Sequence, residues 1–320
     1  MSLWAKVCQG DFRAAAKLIS IIEDNLKEAI PDLKNLYAKT GNAYIIGFTG
    51  APGSGKSTLL SKVAREYRKQ KKTIGIIAVD PSSHLSGGAL LGDRIRMKEL
   101  FGDDGIFIRS MASRGKSGGL ARATSAAISV LDAMGKDIIL VETVGVGQSE
   151  IDITKMAHSI IVVLNPDMGD EIQNMKAGIL EIGDIFVVNK FDKEGAEQYF
   201  ARLENILRAK ELSNDWKPRI LKTIATEEFG IAELVTSLEE RAKYLSKCNR
   251  LAEYQQRKCR FEIADMLKDE INTKVLEVVM KSGRVNELIQ QVIERKLDPY
   301  SAVEAVSERI QIILKDSHES

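Results

Sequence analysis

Residues 45–58 read IIGFTGAPGSGKST, an apolar run that ends in the pattern Gly-x-x-x-x-Gly-Lys-Ser. This pattern is typical of the phosphate-binding P-loop when a strand precedes it and a helix follows. Backbone N–H groups of such a loop and the N-terminus of the next helix surround phosphate, the lysine adds positive charge, and the serine hydroxyl can ligate Mg²⁺. A glycine-rich turn without a ligand is the alternative, but here both flanking elements are expected. The predicted phosphate-binding residues are Gly50, Ala51, Pro52, Gly53, Ser54, Gly55, Lys56, Ser57 and Thr58.

The composition is that of an ordinary globular protein, with 320 residues, 44% hydrophobic and 28% charged. The formal net charge is +1, which gives no reason to expect attraction to nucleic acid or to an anionic membrane. Cys8, Cys248 and Cys259 lie far apart, which fits a reducing compartment better than a disulfide framework. The sequence shows neither a signal-peptide pattern nor an apolar run near the ~20 residues that span a bilayer. We therefore expect a cytoplasmic protein with no nucleic-acid or membrane partner.

Apolar runs alternate with helical patterns through the middle of the chain. This order predicts an α/β fold, a P-loop NTPase whose mostly parallel sheet is flanked by helices. Two helices are expected over residues 11–40, with Pro31 in the first turn of the second. After residue 245 only helical spacing remains, and Asp298-Pro299 predicts a helix start. The predicted parts are an N-terminal helical segment (1–42), a P-loop domain (43–245) and a C-terminal helical arm (246–320), which either packs on that domain or forms a dimer interface.

Two strands of the predicted sheet end in carboxylates that suit magnesium. Residues 73–80 read TIGIIAVD and residues 137–147 read DIILVETVGVG, so Asp80 and Glu142 each follow an apolar run. Ligands bind at this edge of open α/β sheets, and P-loop NTPases hold Mg²⁺ or its water shell with an acid there. Asp93 is a further candidate ligand, although it could instead cap a helix. The predicted magnesium site is Ser57, Asp80, Asp93 and Glu142, and the predicted catalytic residues are Lys56, Asp80 and Glu142.

Residues 184–192 read DIFVVNKFD, an apolar strand that ends in Asn-Lys-x-Asp. Guanine presents its N1–H and its exocyclic amine along one edge, and the Asp192 carboxylate can accept from both. Adenine has an acceptor at N1 and no amine at C2, so it cannot make this pair of bonds. Charge-assisted hydrogen bonds are worth ~1.5–3 kcal/mol each, which strongly favours guanine. Asn189 and Lys190 would brace the loop and flank the base, and Ile224, Ala225 and Thr226 would close over it.

Six stretches together resemble one family of nucleotide-binding proteins. They are GAPGSGKST from residue 50, AVDPSS from 78, GDRIRM from 92, ETVGVGQSE from 142, GDEIQ from 169 and NKFD from 189. This set is similar to that of the MeaB/ArgK/MMAA family of P-loop GTPases, the G-protein chaperones of adenosylcobalamin-dependent methylmalonyl-CoA mutase. The resemblance covers nearly the whole chain. It implies GTP and GDP as ligands, Mg²⁺ as cofactor, a homodimer formed through the C-terminal arm, and a switch loop with Asp170, Gln173 and Lys176, although Asp170 could instead cap the following helix.

The function that this resemblance implies is a GTP-hydrolysing chaperone. It would gate adenosylcobalamin loading of an acyl-CoA mutase such as methylmalonyl-CoA mutase, or protect or reactivate that enzyme. Hydrolysis by the GTPase alone is expected to be slow and stimulated by the partner, because the sequence offers no identifiable arginine finger. The alternatives are a metallochaperone GTPase and a transport-associated nucleotide-dependent kinase. The first usually carries a His/Cys cluster that this sequence lacks, and the Asn-Lys-x-Asp stretch argues against ATP as the substrate of the second.

Overall fold

The structure is a computed structural model, and it describes residues 2–80, 97–112, 119–143, 152–167, 177–209, 216–248, 250–281 and 283–316. The strands are β1 (Tyr44–Thr49), β2 (Ile74–Asp80), β3 (Ile106–Ala112), β4 (Ile138–Glu142), β5 (Ser159–Leu164), β6 (Ile185–Val188) and β7 (Arg219–Lys222). In the described residues they form a seven-stranded sheet of order β3-β2-β4-β1-β5-β6-β7, with every pair parallel. The predicted P-loop NTPase fold is therefore confirmed.

Helices occur before, between and after the strands. They are α1 (Leu3–Val7), α2 (Phe12–Asp24), α3 (Leu26–Leu36), α4 (Lys56–Lys69), α5 (Gly119–Ala133), α6 (Ala177–Ile182), α7 (Ala196–Ala209), α8 (Ile231–Lys247), α9 (Arg250–Lys281), α10 (Gly283–Ile293) and α11 (Pro299–Asp316). One core lies between the sheet and α4 with α8, and the other lies between the opposite face and α1 to α3, α5 and α7. The strands are buried on both faces, which explains why they read as continuous apolar runs.

The prediction for Pro31 is wrong. It lies inside α3, which begins five residues earlier at Leu26, rather than in the first turn of a helix. Ala29 and Leu36 are buried against the core, so packing extends the helix on both sides of the proline. Pro31 itself is exposed, which leaves its ring room in solvent although it lacks the N–H of a regular helical residue.

A buried carboxylate joins α5 to the segment that enters β1. Asp132 accepts hydrogen bonds from the backbone N–H groups of Gly41 (2.6 Å), Asn42 (3.1 Å) and Ala43 (3.0 Å). Ala43 is buried, so its N–H would otherwise lack a partner at a cost in free energy, whereas Gly41 and Asn42 are exposed. Asp132 therefore fixes the connection between the N-terminal helices and the first strand of the sheet.

We expect Asp132→Asn to lower the free energy of unfolding by about 2 kcal/mol. The asparagine removes the negative charge and turns an N–H group, instead of an oxygen, toward one of the three backbone donors. Urea unfolding followed by circular dichroism measures the change. Glu204→Gln is the matched control, because its exposed ion pair with Arg208 is worth about 0–1 kcal/mol. Equal unfolding midpoints for Asp132→Asn and this control would contradict the assignment.

The chain divides into two compact units, Met1–Gln255 and Gln256–Ser320. In the second unit Asp298 caps α11, because its Oδ1 accepts from the backbone N–H groups of Tyr300 and Ser301. The predicted helix start at Asp298-Pro299 is thus confirmed. In the part of the chain that the structure describes, no helix has both the length and the apolar character to cross a membrane.

Candidate nucleotide-binding site

The loop between β1 and α4 is pressed closely against its neighbours. Gly50 has φ +133°, and a Cβ there would lie 2.1 Å from the carbonyl oxygen of Val163 on β5. Gly55 has φ +94°, and its Cβ would lie 2.3 Å from Nδ2 of Asn189. Both positions therefore require glycine, for backbone conformation and for space. The result is a compact turn at the C-terminal edge of the sheet, directly before a helix N-terminus.

Positive charge is concentrated at this turn. Lys56 is the first residue of α4, and its side chain is buried. Its Nζ donates to the carbonyl oxygens of Gly50 (2.8 Å) and Ala51 (3.0 Å), so the ammonium group folds back across the loop. The N-terminus of α4 adds the positive end of its dipole at the same place. This arrangement is suited to a polyphosphate.

A hydroxyl group and a carboxylate, both possible metal ligands, lie in contact beside the loop. The Ser57 Oγ donates a hydrogen bond of 2.7 Å to Oε1 of Glu142, and both side chains are buried. Glu142 ends β4, which is paired with β1 so that it lies beside Phe48. Hydroxyl and carboxylate oxygens are the ligand types that Mg²⁺ takes, so these residues fit that ion. Asp80 ends β2 at the same edge of the sheet, but its side chain lies outside the described structure, as does the whole of Asp93.

Asn189 connects three separate segments of the chain. Its Nδ2 donates to the Ser54 carbonyl oxygen in the glycine-rich loop at 2.9 Å. Its Oδ1 accepts from Thr223 Oγ1 (3.1 Å) and from the Ala225 N–H (3.2 Å). The side chain is buried. Asn189 therefore holds the phosphate-binding loop, the strand end at 188 and the segment after β7 in one assembly.

The other residues predicted to read the base lie around this connection. Lys190 adopts a left-handed backbone conformation with φ +55°, and Asp192, two residues later, is exposed at the edge of the sheet. Ala225 is buried and begins a short 3-10 helix that ends at Glu227, whereas Thr226 is exposed. Ile224 pairs its backbone with Phe229. The predicted switch residues Asp170, Gln173 and Lys176 lie outside the described residues.

Thr223 is a site residue that the sequence reasoning missed. It is fully buried, and it contacts Asn189 through its hydroxyl and Val188 through its backbone N–H. Phe191 and Lys222, whose side chains contact each other, were also missed. Phe191 is the variable position of the Asn-Lys-x-Asp motif, and Thr223 and Lys222 belong to no spaced motif. The available signal was position alone, since Thr223 follows a strand at the edge of the sheet where the other site residues lie.

Comparison with known proteins agrees with this geometry. The family described as "Methylmalonyl Co-A mutase-associated GTPase MeaB" matches residues 15–280. A Pyrococcus abyssi protein that bears the name GTPase is 46% identical over 308 residues, 94% of each chain. GTPase ArgK of Escherichia coli is 31% identical over 281 residues, 85% of this chain and 83% of that protein. A solved structure described as an LAO/AO transport system kinase has a TM-score of 0.72 at 25% identity, over 97% of this chain and 96% of that one. The chain therefore belongs to the MeaB family of P-loop GTPases.

Proposed function

We propose that this GTPase serves an adenosylcobalamin-dependent acyl-CoA mutase, with methylmalonyl-CoA mutase as the first candidate. The observation that carries the proposal is the family match over residues 15–280, because the description of that family names an association with this mutase. GTP binding and hydrolysis would drive a conformational change that gates adenosylcobalamin loading of the mutase, or that protects or reactivates it. The proposed compartment is the cytoplasm, supported by the three free cysteines of the chain.

In this proposal the loop from Gly50 to Thr58 holds the GTP phosphates. Lys56 would exchange its two carbonyl partners for the β- and γ-phosphate oxygens, which carry full negative charge and bind an ammonium more strongly. The exchange needs little movement, because those carbonyls belong to the same loop. Backbone N–H groups at the start of α4 would complete the phosphate site.

Ser57 and Glu142 are proposed to hold Mg²⁺, together with Asp80 and Asp93. Their support is the contact between Ser57 Oγ and Glu142 Oε1, which places a hydroxyl and a carboxylate in one buried position. When bound, Mg²⁺ would neutralise charge on the β- and γ-phosphates. The residues themselves would orient the ion and keep the phosphate end of the site shielded from water.

Asn189, Lys190 and Asp192 are proposed to recognise guanine, and Ile224, Ala225 and Thr226 to close over it. Support comes from the hydrogen bonds of Asn189 to Ser54 and Ala225, which join the phosphate loop to both of these segments. Base and phosphate recognition would therefore be mechanically coupled. Asp192 is accessible, as a residue that receives a ligand from solvent must be.

Contact with the mutase is proposed to involve a switch loop that contains Asp170, Gln173 and Lys176.

A homodimer is proposed to form through the C-terminal arm. Its support is a row of exposed apolar side chains on α9 at helical spacing. These side chains are Ile263, Met266, Leu267 and Ile271. A second copy of the chain would remove this surface from water.

We expect the GTP turnover of the full-length protein to rise about tenfold when the correct mutase is added, because intrinsic hydrolysis is slow where no arginine finger is supplied. The measurement is phosphate release with a panel of purified adenosylcobalamin-dependent acyl-CoA mutases. ATP in place of GTP, and Lys56→Ala in place of the wild type, are the negative controls. Tight GTP binding with turnover that no mutase changes would contradict the proposed partner and leave the GTPase assignment intact.

A further inference from the structure

The loop that carries Asp192 is anchored unequally along its length. At its start, Asn189 is buried and makes three side-chain hydrogen bonds. Asp192 itself is exposed, three residues further along. Lys190 between them has φ +55°, so the chain turns sharply at this point. A carboxylate that must accept two hydrogen bonds from one guanine edge needs a fixed direction, and Asn189 alone does not supply one.

Phe191 supplies a second anchor next to Asp192. Its ring lies edge-to-face against Phe200 of α7, with ring centroids 6.1 Å apart. Nζ of Lys222 lies over both rings, 4.5 Å from the centroid of Phe191 and 4.8 Å from that of Phe200. Glu197 completes the group, because both of its carboxylate oxygens accept from Lys222 Nζ at 2.9 and 2.8 Å. We call these four side chains the Phe191 clamp.

The Phe191 clamp is tied to the sheet through Lys222. This lysine is the last residue of β7, and it is paired in register with Val188, the last residue of β6. The backbone N–H of Phe191 also donates to the carbonyl oxygen of Thr223, the residue after Lys222. Ring, ammonium and backbone thus hold residue 191 from the same strand end. Cation–π and edge-to-face contacts are directional, so they favour one orientation of the ring.

We propose that Lys222 is a positioning residue that determines nucleotide specificity. It acts by holding Phe191, and through Phe191 it sets the direction of the adjacent Asp192 carboxylate. The inference rests on the proposed reading of guanine by Asp192 but is independent of the proposed mutase partner. When the clamp loosens, the carboxylate loses the geometry needed to accept from N1–H and from the exocyclic amine together. The contact that suffers is the one that distinguishes guanine from hypoxanthine, which has N1–H and lacks the amine.

The test compares the affinities of the full-length protein for GDP, IDP and ADP by calorimetry. Lys222→Met keeps the length and apolar character of the stem and removes the charge over both rings. We expect this variant to lower the ratio of GDP to IDP affinity about threefold to tenfold, and Lys222→Arg to restore it, since a guanidinium also binds aromatic faces. A general loss of folding would weaken GDP and IDP binding equally and leave the ratio unchanged.

Arg208→Met is the matched control. It removes a cation from α7, the helix that carries Phe200, where Arg208 forms an exposed ion pair with Glu204. The control should keep the wild-type ratio. A Lys222→Met protein that has the wild-type circular dichroism spectrum and the wild-type GDP to IDP ratio would overturn the inference about Lys222 and leave the reading of guanine by Asp192 intact. A wild type that does not distinguish GDP from IDP would overturn the reading of guanine by Asp192 as well.

A second variant keeps the inference testable if Lys222→Met does not fold. Phe191→Leu retains an apolar side chain at the same place and removes the aromatic face that Lys222 covers. It is expected to lower the GDP to IDP ratio in the same direction. An unchanged ratio in this variant would overturn the inference.

Discussion

We expect Asp192→Asn to bind GTP roughly 10²- to 10⁴-fold more weakly than the wild type. The carboxylate is proposed to accept two charge-assisted hydrogen bonds from guanine, each worth ~1.5–3 kcal/mol, and a factor of ten in affinity corresponds to about 1.4 kcal/mol. The asparagine keeps one acceptor oxygen but presents an NH₂ group to the guanine amine, so two donors face each other. Isothermal titration of GDP into the nucleotide-free protein measures the effect without hydrolysis.

Xanthine nucleotides provide the strongest control for this variant. Xanthine has a carbonyl oxygen where guanine has its amine, so the Asn amide can donate to it while still accepting from N1–H. We therefore expect Asp192→Asn to bind XDP more tightly than the wild type does. Glu194→Gln removes one charge from the same exposed loop and should leave GDP affinity unchanged. Equal GDP affinity in wild type and Asp192→Asn would overturn the base assignment.

The sheet could be predicted because the apolar sequence of each strand follows directly from its burial. Residues 138–142 and 159–164 are buried on both faces, and a parallel strand in that position must be apolar throughout. The start of α11 could be predicted because its signal, Asp298 followed by proline, is local. The prediction that Pro31 lies in the first turn of a helix was wrong because the limits of that helix depend on tertiary packing. The extent of α3 depends on the burial of Ala29 and Leu36, and local sequence does not contain that information.

In the candidate site, too, residues within one local motif could be predicted, whereas contacts between distant positions could not. The phosphate loop is one contiguous motif, so its residues could be identified together. The contact between Asn189 and Ser54 joins positions 135 residues apart, and no spacing rule predicts it. The Phe191 clamp is similar, because Lys222 and Glu197 meet only after β7 pairs with β6 and α7 has packed. The roles of all the predicted site residues, including Asp93 and the switch residues, stay predictions.

Lys136 lies in a buried position at the end of the sheet where β4 begins. Its Nζ donates to the carbonyl oxygen of Gly105 at 3.2 Å and lies 4.6 Å from the centre of the Phe12 ring. Desolvation lowers the pKa of Lys136 to about 8, and the nearby charge of Arg68 acts in the same direction. Asp103 and Asp137 raise the pKa, but they do not offset the burial.

The lowered pKa of Lys136 determines how the free energy of unfolding depends on pH. Between about pH 8 and 10.5 the unfolded chain binds the Lys136 proton more tightly than the folded chain does, so folding stability rises with pH in that window. Below about pH 8 both states are protonated, and the full cost of burying the charge is present. The pKa difference between 10.5 and about 8 corresponds to roughly 3 kcal/mol.

We therefore expect Lys136→Met to raise the free energy of unfolding by about 3 kcal/mol at pH 7, with a gain that shrinks steadily from pH 8 to 10.5. The methionine fills a similar volume without charge, and the Gly105 carbonyl oxygen keeps a partner because it also accepts from the Ile74 N–H at 2.8 Å. Urea unfolding at pH 7, 8, 9 and 10 measures the difference. Lys72→Met, which removes an exposed lysine from the same end of the sheet, should change stability little at any of these pH values. A Lys136→Met protein less stable than the wild type at pH 7 would mean that the contacts with Gly105 and Phe12 outweigh the cost of burying the ammonium group.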